Sequence, residues 1–246
     1  MCFNIWLRID CEIVASVKIN PNAPNIVYVA AIGQPFNSNS ERGIFKTTDG
    51  GKTWNKTLFI SDKIGIVDIE FSPENPDIIY AASWEVDRKP WTIISGSKDG
   101  GIYKSIDAGE SWVKLSKGLP KGNIGKIDLA VTPADPHRLY ALIEADQGEG
   151  GVYISYNEGS QFKAMSHRKE LVNRPFYYCN IYANPNNAAV VYSNANRFMV
   201  SNNAGKSWEI KKTPHGDNHD IWINPIDDNI RIQSNDGGVN ITFNSG

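Results

Sequence analysis

Carboxylates and aromatic residues share several stretches of this 246-residue chain. Glu85, Asp87, Glu144, Asp146 and Asp217 stand near Trp84, Trp91, Tyr177 and Tyr178 in sequence or in repeat position, with His219 close behind Asp217. Two carboxyl groups about 5–10 Å apart, one protonated and one ionised, can cleave a glycosidic bond. On that chemistry Glu85, Asp87, Glu144, Asp146, Asp217 and His219 are the candidate catalytic groups. Trp84, Arg88, Trp91, Arg174, Tyr177, Tyr178 and His215 are the candidate substrate contacts, through ring stacking and charge. The simpler alternative is that the rings seal loops and the carboxylates are solvated surface.

The run His215-Gly216-Asp217-Asn218-His219-Asp220 is the densest group of potential ligands. Its donors suit a divalent ion or general acid–base work. An extended backbone there would send His219 and Asp220 to opposite sides, which leaves hydrogen bonding as the simpler role. No metal or other cofactor is assigned. Arg42, Arg88, Arg168, Arg174 and Arg197 could clamp a carboxylated or sulfated sugar through paired contacts.

A different carboxylate recurs in phase. "TTDGGKTW" (47–54) and "SIDAGESW" (105–112) align position for position, and "SYNEGSQF" (155–162), "SNNAGKSW" (201–208) and the terminal "TFNSG" (242–246) repeat the pattern. Asp49 and Asp107 therefore correspond to Asn157, Asn203 and Asn244. Asn keeps the acceptor and discards the charge, so the position reads as a turn lock rather than a catalytic acid. The glycine two residues on is expected at positive φ, and the aromatic residue is expected to pack into the sheet.

Each copy follows a proline turn and an apolar strand, as in "SPENPDIIYAA" and "TPADPHRLYAL". The markers Pro21, Pro73, Pro133, Pro185 and Pro225 lie 52, 60, 52 and 40 residues apart. Such a period, with short alternating strands such as "IVDIEFS" and no sustained 3.6-residue apolar pattern, predicts an all-β propeller of four-stranded blades. About five blades are expected, four complete and one partial, in a single domain over 1–246. Their approximate limits are 13–60, 65–117, 124–166, 176–212 and 216–246, with residues 2–9 proposed as the strand that pairs with Val239 to Thr242. The final unit stops at "FNSG", so the chain reads as a fragment of a longer protein.

The repeats resemble the Asp-box, or bacterial neuraminidase repeat, of sialidases, two-propeller xyloglucanases, sortilin-type receptors and photosystem assembly propellers. The segments "RKPWTIISG", "YALIEADQGEGGVY" and "HGDNHDIWINP" resemble uncharacterised bacterial repeat-type glycosyl hydrolases. The resemblance implies a carbohydrate-active propeller, hydrolytic or glycan-binding, with a non-catalytic protein- or peptide-binding propeller as the alternative. The sialidases are also marked by an Arg-Ile-Pro element, and no Arg-Ile-Pro occurs in this chain.

Composition narrows the partners. With 25 Lys and Arg against 27 Asp and Glu, a net charge of −2 leaves no basic footprint for nucleic acid. The 3 cysteines, Cys2, Cys11 and Cys179, form no closed disulfide framework, and Cys179 in its aromatic stretch reads as a buried thiol. No apolar run has the length of a membrane span. The start "MCFNIWLRIDCEIV" lacks the ordered sections of a signal peptide. Localisation stays open, with a secreted or periplasmic setting expected for a longer parent protein. On a propeller the Asp-box turns open on one face. The longest irregular segments, 33–43, 84–100, 144–151, 166–178 and 213–220, open on the other, and the site is expected there.

Overall fold

The computed structural model describes residues 11–246; Cys2 and the proposed strand 2–9 lie outside the described residues. Five antiparallel sheets follow one another along the chain. The first holds β1 (Val14–Ile19), β2 (Val27–Ala31), β3 (Gly43–Thr47) and β4 (Asn55–Leu58). The second holds β5 (Ile64–Phe71), β6 (Ile79–Lys89), β8 (Ile102–Ser105) and β9 (Val113–Leu115), with β7 (Thr92–Ser95) paired to the far end of β6. The third holds β10 (Ile124–Val131), β11 (Leu139–Ala145), β12 (Gly151–Ser155) and β13 (Lys163–Ser166). The fourth holds β14 (Asn180–Ala183), β15 (Val191–Asn194), β16 (Phe198–Ser201) and β17 (Glu209–Lys211). Three strands, β18 (Asn218–Ile223), β19 (Arg231–Asn235) and β20 (Gly238–Thr242), make the fifth. Each sheet pairs its strands in chain order, save that β8 returns to β6 past the β7 hairpin, and the only helical turn among the described residues is Lys169–Val172.

Apolar seams between neighbouring sheets hold this β-propeller together. Tyr28, Ile44, Ile66 and Ile79 fill the first seam, and Tyr80, Ile102, Ile127 and Leu139 the second. Tyr140, Val152, Ile181 and Met199 fill the third, and Tyr192, Phe198 and Ile221 the fourth. The second-strand tyrosines also tie sheet to sheet. Tyr28 donates to the Ala108 carbonyl at 2.6 Å, and Tyr140 to the Ala188 carbonyl at 2.7 Å.

One segment read as an irregular loop is ordered. Within 84–100, β6 continues to Lys89 and turns back through Pro90 and Trp91, so that Lys89 pairs with Thr92 and Val86 with Ser95. Val86 is buried and its strand alternates about it, whereas Pro90 takes the one place, the turn, where a missing N–H costs nothing. The hairpin lifts Trp91 clear of the body of the second blade, with 81% of its surface exposed.

Candidate functional site

The inner strands β1, β5, β10, β14 and β18 surround a central channel of about 680 Å³. The residue five places before each marker proline, namely Ser16, Asp68, Asp128, Asn180 and Asp220, lines it. In four of the inner strands the register slips just upstream, between Val14 and Ser16, Ile66 and Asp68, Ile124 and Ile127, and Asn218 and Asp220. Such a bulge re-aims the side chains that follow it.

The channel carboxylates clamp one blade to the next. Asp68 accepts the N–H of Ile69 at 2.8 Å and that of Leu129, on the neighbouring blade, at 3.0 Å. Asp128 accepts the N–H of Ile181 at 2.7 Å, again one blade on. Glu70 meets the Lys18 ammonium at 2.8 Å. Burial raises the pKa of Asp68 and of Asp128, and the nearby Asp68 charge raises Asp128 further. Burial, then the Asp68 charge, pushes Glu70 up to about 7, with 23% of its side chain open to the channel. Sequence reading does not single out these three carboxylates, although the fixed offset of Asp68 and Asp128 from the marker prolines is a usable signal.

At the loop-bearing face an unbroken row of rings crosses from the second blade to the fifth. Trp84 meets Phe176 edge-on at 5.4 Å, Phe176 meets Tyr177 at 5.2 Å, Tyr177 lies 6.1 Å from Tyr178, and Tyr178 lies 5.6 Å from His219. Guanidinium groups flank the row. Arg88 stands 5.3 Å from the Phe176 ring, and Arg174 stands 5.0 Å from Tyr177 and 5.6 Å from Tyr178. Each contact is of the kind that orients rings and cations through the ring quadrupole. Tyr177 is half exposed, whereas Trp84 and Tyr178 are buried.

The expected site residues divide into three groups. Trp84, Arg88, Arg174, Tyr177, Tyr178, Asp217 and His219 belong to this row or touch it. Asp217 sits beside Tyr178 and accepts from the Asn196 amide at 2.6 Å, and those two hydrogen bonds, the Tyr178 hydroxyl first, hold its carboxyl below the usual range. The same hydrogen bond raises Tyr178. His219 Nε2 contacts Asp236 Oδ1 at 2.6 Å, and His215 Nδ1 contacts its neighbour's carbonyl, that of Gly216, at 3.0 Å.

Glu144 and Asp146 lie against backbone in the third blade. Glu144 accepts from Ser95 Oγ at 2.6 Å and from the Lys126 N–H at 2.8 Å, while Ser95 Oγ accepts from Trp84 Nε1 at 2.9 Å. A Cβ on Gly125 would fall 2.1 Å from Glu144 Oε2, and one on Gly122 would fall 2.0 Å from Asp146 Oδ1, so both carboxylates rest where only glycine leaves room. Glu85 and Asp87 form the third group, in a separate pocket of about 360 Å³ between the first and second blades. Asp87 pairs there with Lys89 at 2.9 Å. Trp91 projects from the adjoining hairpin.

On the opposite face the repeated turns use their side-chain oxygens internally. Asp107 Oδ1 accepts from Ser105 Oγ at 2.7 Å and the Ser111 N–H at 2.9 Å, and its Oδ2 accepts from Ser111 Oγ at 2.5 Å. Asp49 is held by Thr47, Lys52 and Thr53 in the same way. Asn157, Asn203 and Asn244 each accept the Ser or Thr hydroxyl two residues earlier at 2.9–3.0 Å. Gly109 adopts φ 82°, and Ala108 before it adopts φ 56°. Trp54, Trp112 and Trp208 donate their indole N–H to the carbonyl three residues earlier.

Blade architecture and turn chemistry together define an Asp-box β-propeller. The BNR/Asp-box repeat profile matches residues 45–56. Over 150 residues the chain is 27% identical to a xyloglucanase of Paenibacillus sp., a match covering 57% of this chain and 12% of that protein. The GH74 xyloglucanase from Xanthomonas campestris shares the fold at a TM-score of 0.64 and 15% identity, over 93% of this chain and 36% of that one. YCF48 from Cyanidioschyzon merolae shares it at a TM-score of 0.58 and 16% identity, over 97% of this chain and 69% of that one. The chain thus spans about a third of the solved xyloglucanase and a much smaller part of the curated one. Among the described residues no helix is long and apolar enough to cross a membrane.

Proposed function

We propose that the loop-bearing face of this propeller binds a glycan, in the manner of a glycoside hydrolase-like propeller. The observation that carries the reading is the continuous row of rings from Trp84 to His219, edged by Arg88, Arg174 and Asp217. The buried Trp84 and Tyr178 brace the exposed Tyr177, which offers a sugar ring an apolar surface, while the exposed Arg88, Arg174 and His219 offer polar groups for its hydroxyls, the mixture typical of small-molecule sites. The sequence match to a xyloglucanase makes a β-glucan backbone the first polymer to test.

Hydrolysis needs a proton donor beside an ionised partner. Asp217, held ionised by Tyr178 and Asn196, suits the ionised role, and the donor is sought in the two candidates tied to the row, His219 beside Tyr178 and Glu144 linked through Ser95 to Trp84. Affinity electrophoresis in gels containing xyloglucan, with a reducing-end assay in parallel, tests both levels. Retardation that Tyr177→Ala reduces by about tenfold is expected, from the loss of one stacked contact of about 1.4 kcal/mol. No retardation by any neutral polysaccharide would end the glycan reading. Turnover that survives Asp217→Asn would remove Asp217 from the chemistry. A second reading, peptide binding, draws on the fold shared with YCF48 bound to D1 peptide, at a TM-score of 0.50 and 12% identity over 100% of this chain and 84% of that one. Displacement of bound glycan by unrelated peptides would favour it.

A further inference from the structure

The pocket between the first and second blades contains a guanidinium that is only partly used. Arg42 is 1% exposed, and its Nη2 donates to the Gln34 carbonyl at 2.7 Å and to the Asn37 carbonyl at 3.4 Å. Among the described residues, Nε and Nη1 have no hydrogen-bond acceptor. A buried donor left without a partner is costly, about 1–3 kcal/mol and more when charged, so two on one side chain call for an explanation. Arg42 lines a pocket of about 360 Å³ together with Lys63, Glu85, Asp87 and Lys89.

Charge decides what the pocket takes. The carboxylates of Asp62, Glu85 and Asp87 stand against the cations of Arg42, Lys63 and Lys89, so the charges around the pocket balance and favour an ion of neither sign. A hydroxyl suits both signs, because it accepts from the guanidinium and donates to a carboxylate at once. Two adjacent hydroxyls would match the two unpartnered nitrogens. Beside the pocket a groove shares Phe36 and Lys89 with it and includes Trp91. Phe36 and Trp91 are 53% and 81% exposed. The β6–β7 hairpin that carries Trp91 is fixed to the first blade, since the Arg88 N–H donates to the Pro35 carbonyl at 2.8 Å.

We propose that this inter-blade pocket is a subsite for a neutral saccharide, with Arg42 Nε and Nη1 donating to a vicinal diol, Glu85 accepting a hydrogen bond from a hydroxyl, and the next sugar ring stacked on Trp91. The assignment rests on the glycan reading above but concerns a pocket away from the row of rings. It gives Glu85 a binding role.

The test uses isothermal titration of the full chain with a xyloglucan heptasaccharide and, separately, with trigalacturonate, while indole fluorescence reports on Trp91. The heptasaccharide should bind, with a change in emission, and trigalacturonate should bind at least tenfold more weakly. Trp91→Ala, Glu85→Gln and Arg42→Lys should each weaken the heptasaccharide about tenfold or more. Trp91→Ala alters an exposed side chain, so the test stands even if Arg42→Lys fails to fold. Variants that bind like the parent, while Tyr177→Ala binds weakly, would overturn this subsite and leave the glycan reading intact. A parent chain that binds neither oligosaccharide would overturn both, and tighter binding of trigalacturonate would overturn the neutral-ligand assignment alone.

Discussion

The same amino acid is placed in opposite surroundings at two levels of each blade. In the Asp-box turns Asp107 is surrounded by donors in open solvent, first the Ser111 hydroxyl and N–H and then Ser105, and its carboxyl is pulled down to about 2. In the channel Asp68 and Asp128 accept one or two N–H bonds each, and burial drives both carboxyls upward. Both positions exchange Asp with Asn along the repeat, as Asn157 and Asn203 do in the turns and Asn180 does in the channel. The acceptor oxygen is the shared requirement, and the charge is incidental to it. Charge is tolerated at the turn because water and hydroxyls solvate it; in the channel it is opposed by desolvation.

The contrast is most exposed to attack at Asp128. Asp128→Ala should strand the Ile181 N–H and cost about 2–3 kcal/mol in urea unfolding at pH 7. Asp128→Asn should restore nearly all of that and flatten the dependence on pH. An Asn variant as damaged as the Ala variant would mean that the charge itself holds the blades together.

Titration gives the next largest effect, with opposite signs at the two levels. Glu70 has a folded pKa of about 7 against 4.5 for a free side chain, so the folded state holds a proton that the unfolded state has released between those values. Stability should therefore fall as pH rises from 4.5 to 7, by roughly 2 kcal/mol once the side chain's opening to the channel is allowed for. Glu70→Gln should remove most of the fall, as read from urea midpoints across that range. Asp107 behaves inversely. Its contribution is fully present above pH 3.8 and is lost as pH drops toward 2.

The smallest effect sharpens the turn side of the comparison. Asp107→Ala should lower the melting temperature by about 3–6 °C, because the Ser111 and Ser105 donors lose their acceptor to water. Asp107→Asn should change it by less than about 2 °C, in line with the Asn already present in the sister turns. Neither variant should alter glycan retardation, since the turn lies on the face away from the row of rings.

Much of this was legible in local sequence. The proline turns, the Asp-box spacing and the second-strand tyrosines are set within a few residues, and each recurs, so the repeat advertises them. The β6–β7 hairpin reads as loop in the sequence because Lys89, Pro90 and Trp91 interrupt the alternation that Val86, Ile93 and Ile94 continue on either side. The channel carboxylates recur as regularly as the turns, yet nothing in a strand such as "IVDIEFS" says that a bulge at Val67 will turn Asp68 toward the channel. Arg42 is visible in the sequence as one of the five arginines that could clamp an anionic sugar. That two of its nitrogens lack acceptors depends on how the 33–42 loop folds over the second blade, which no spacing reveals.

Pairing every sheet in chain order has a kinetic consequence. A strand that joins only its immediate predecessor closes a short loop, and short closures are fast because little chain entropy is lost in each. A blade can therefore assemble from its own 40 to 60 residues before any distant segment arrives. The clamps from Asp68 to Leu129 and from Asp128 to Ile181 form only when finished blades dock. Substitutions in the turns should thus act mainly on the rate at which single blades appear, and substitutions in the channel on the rate at which the docked array comes apart.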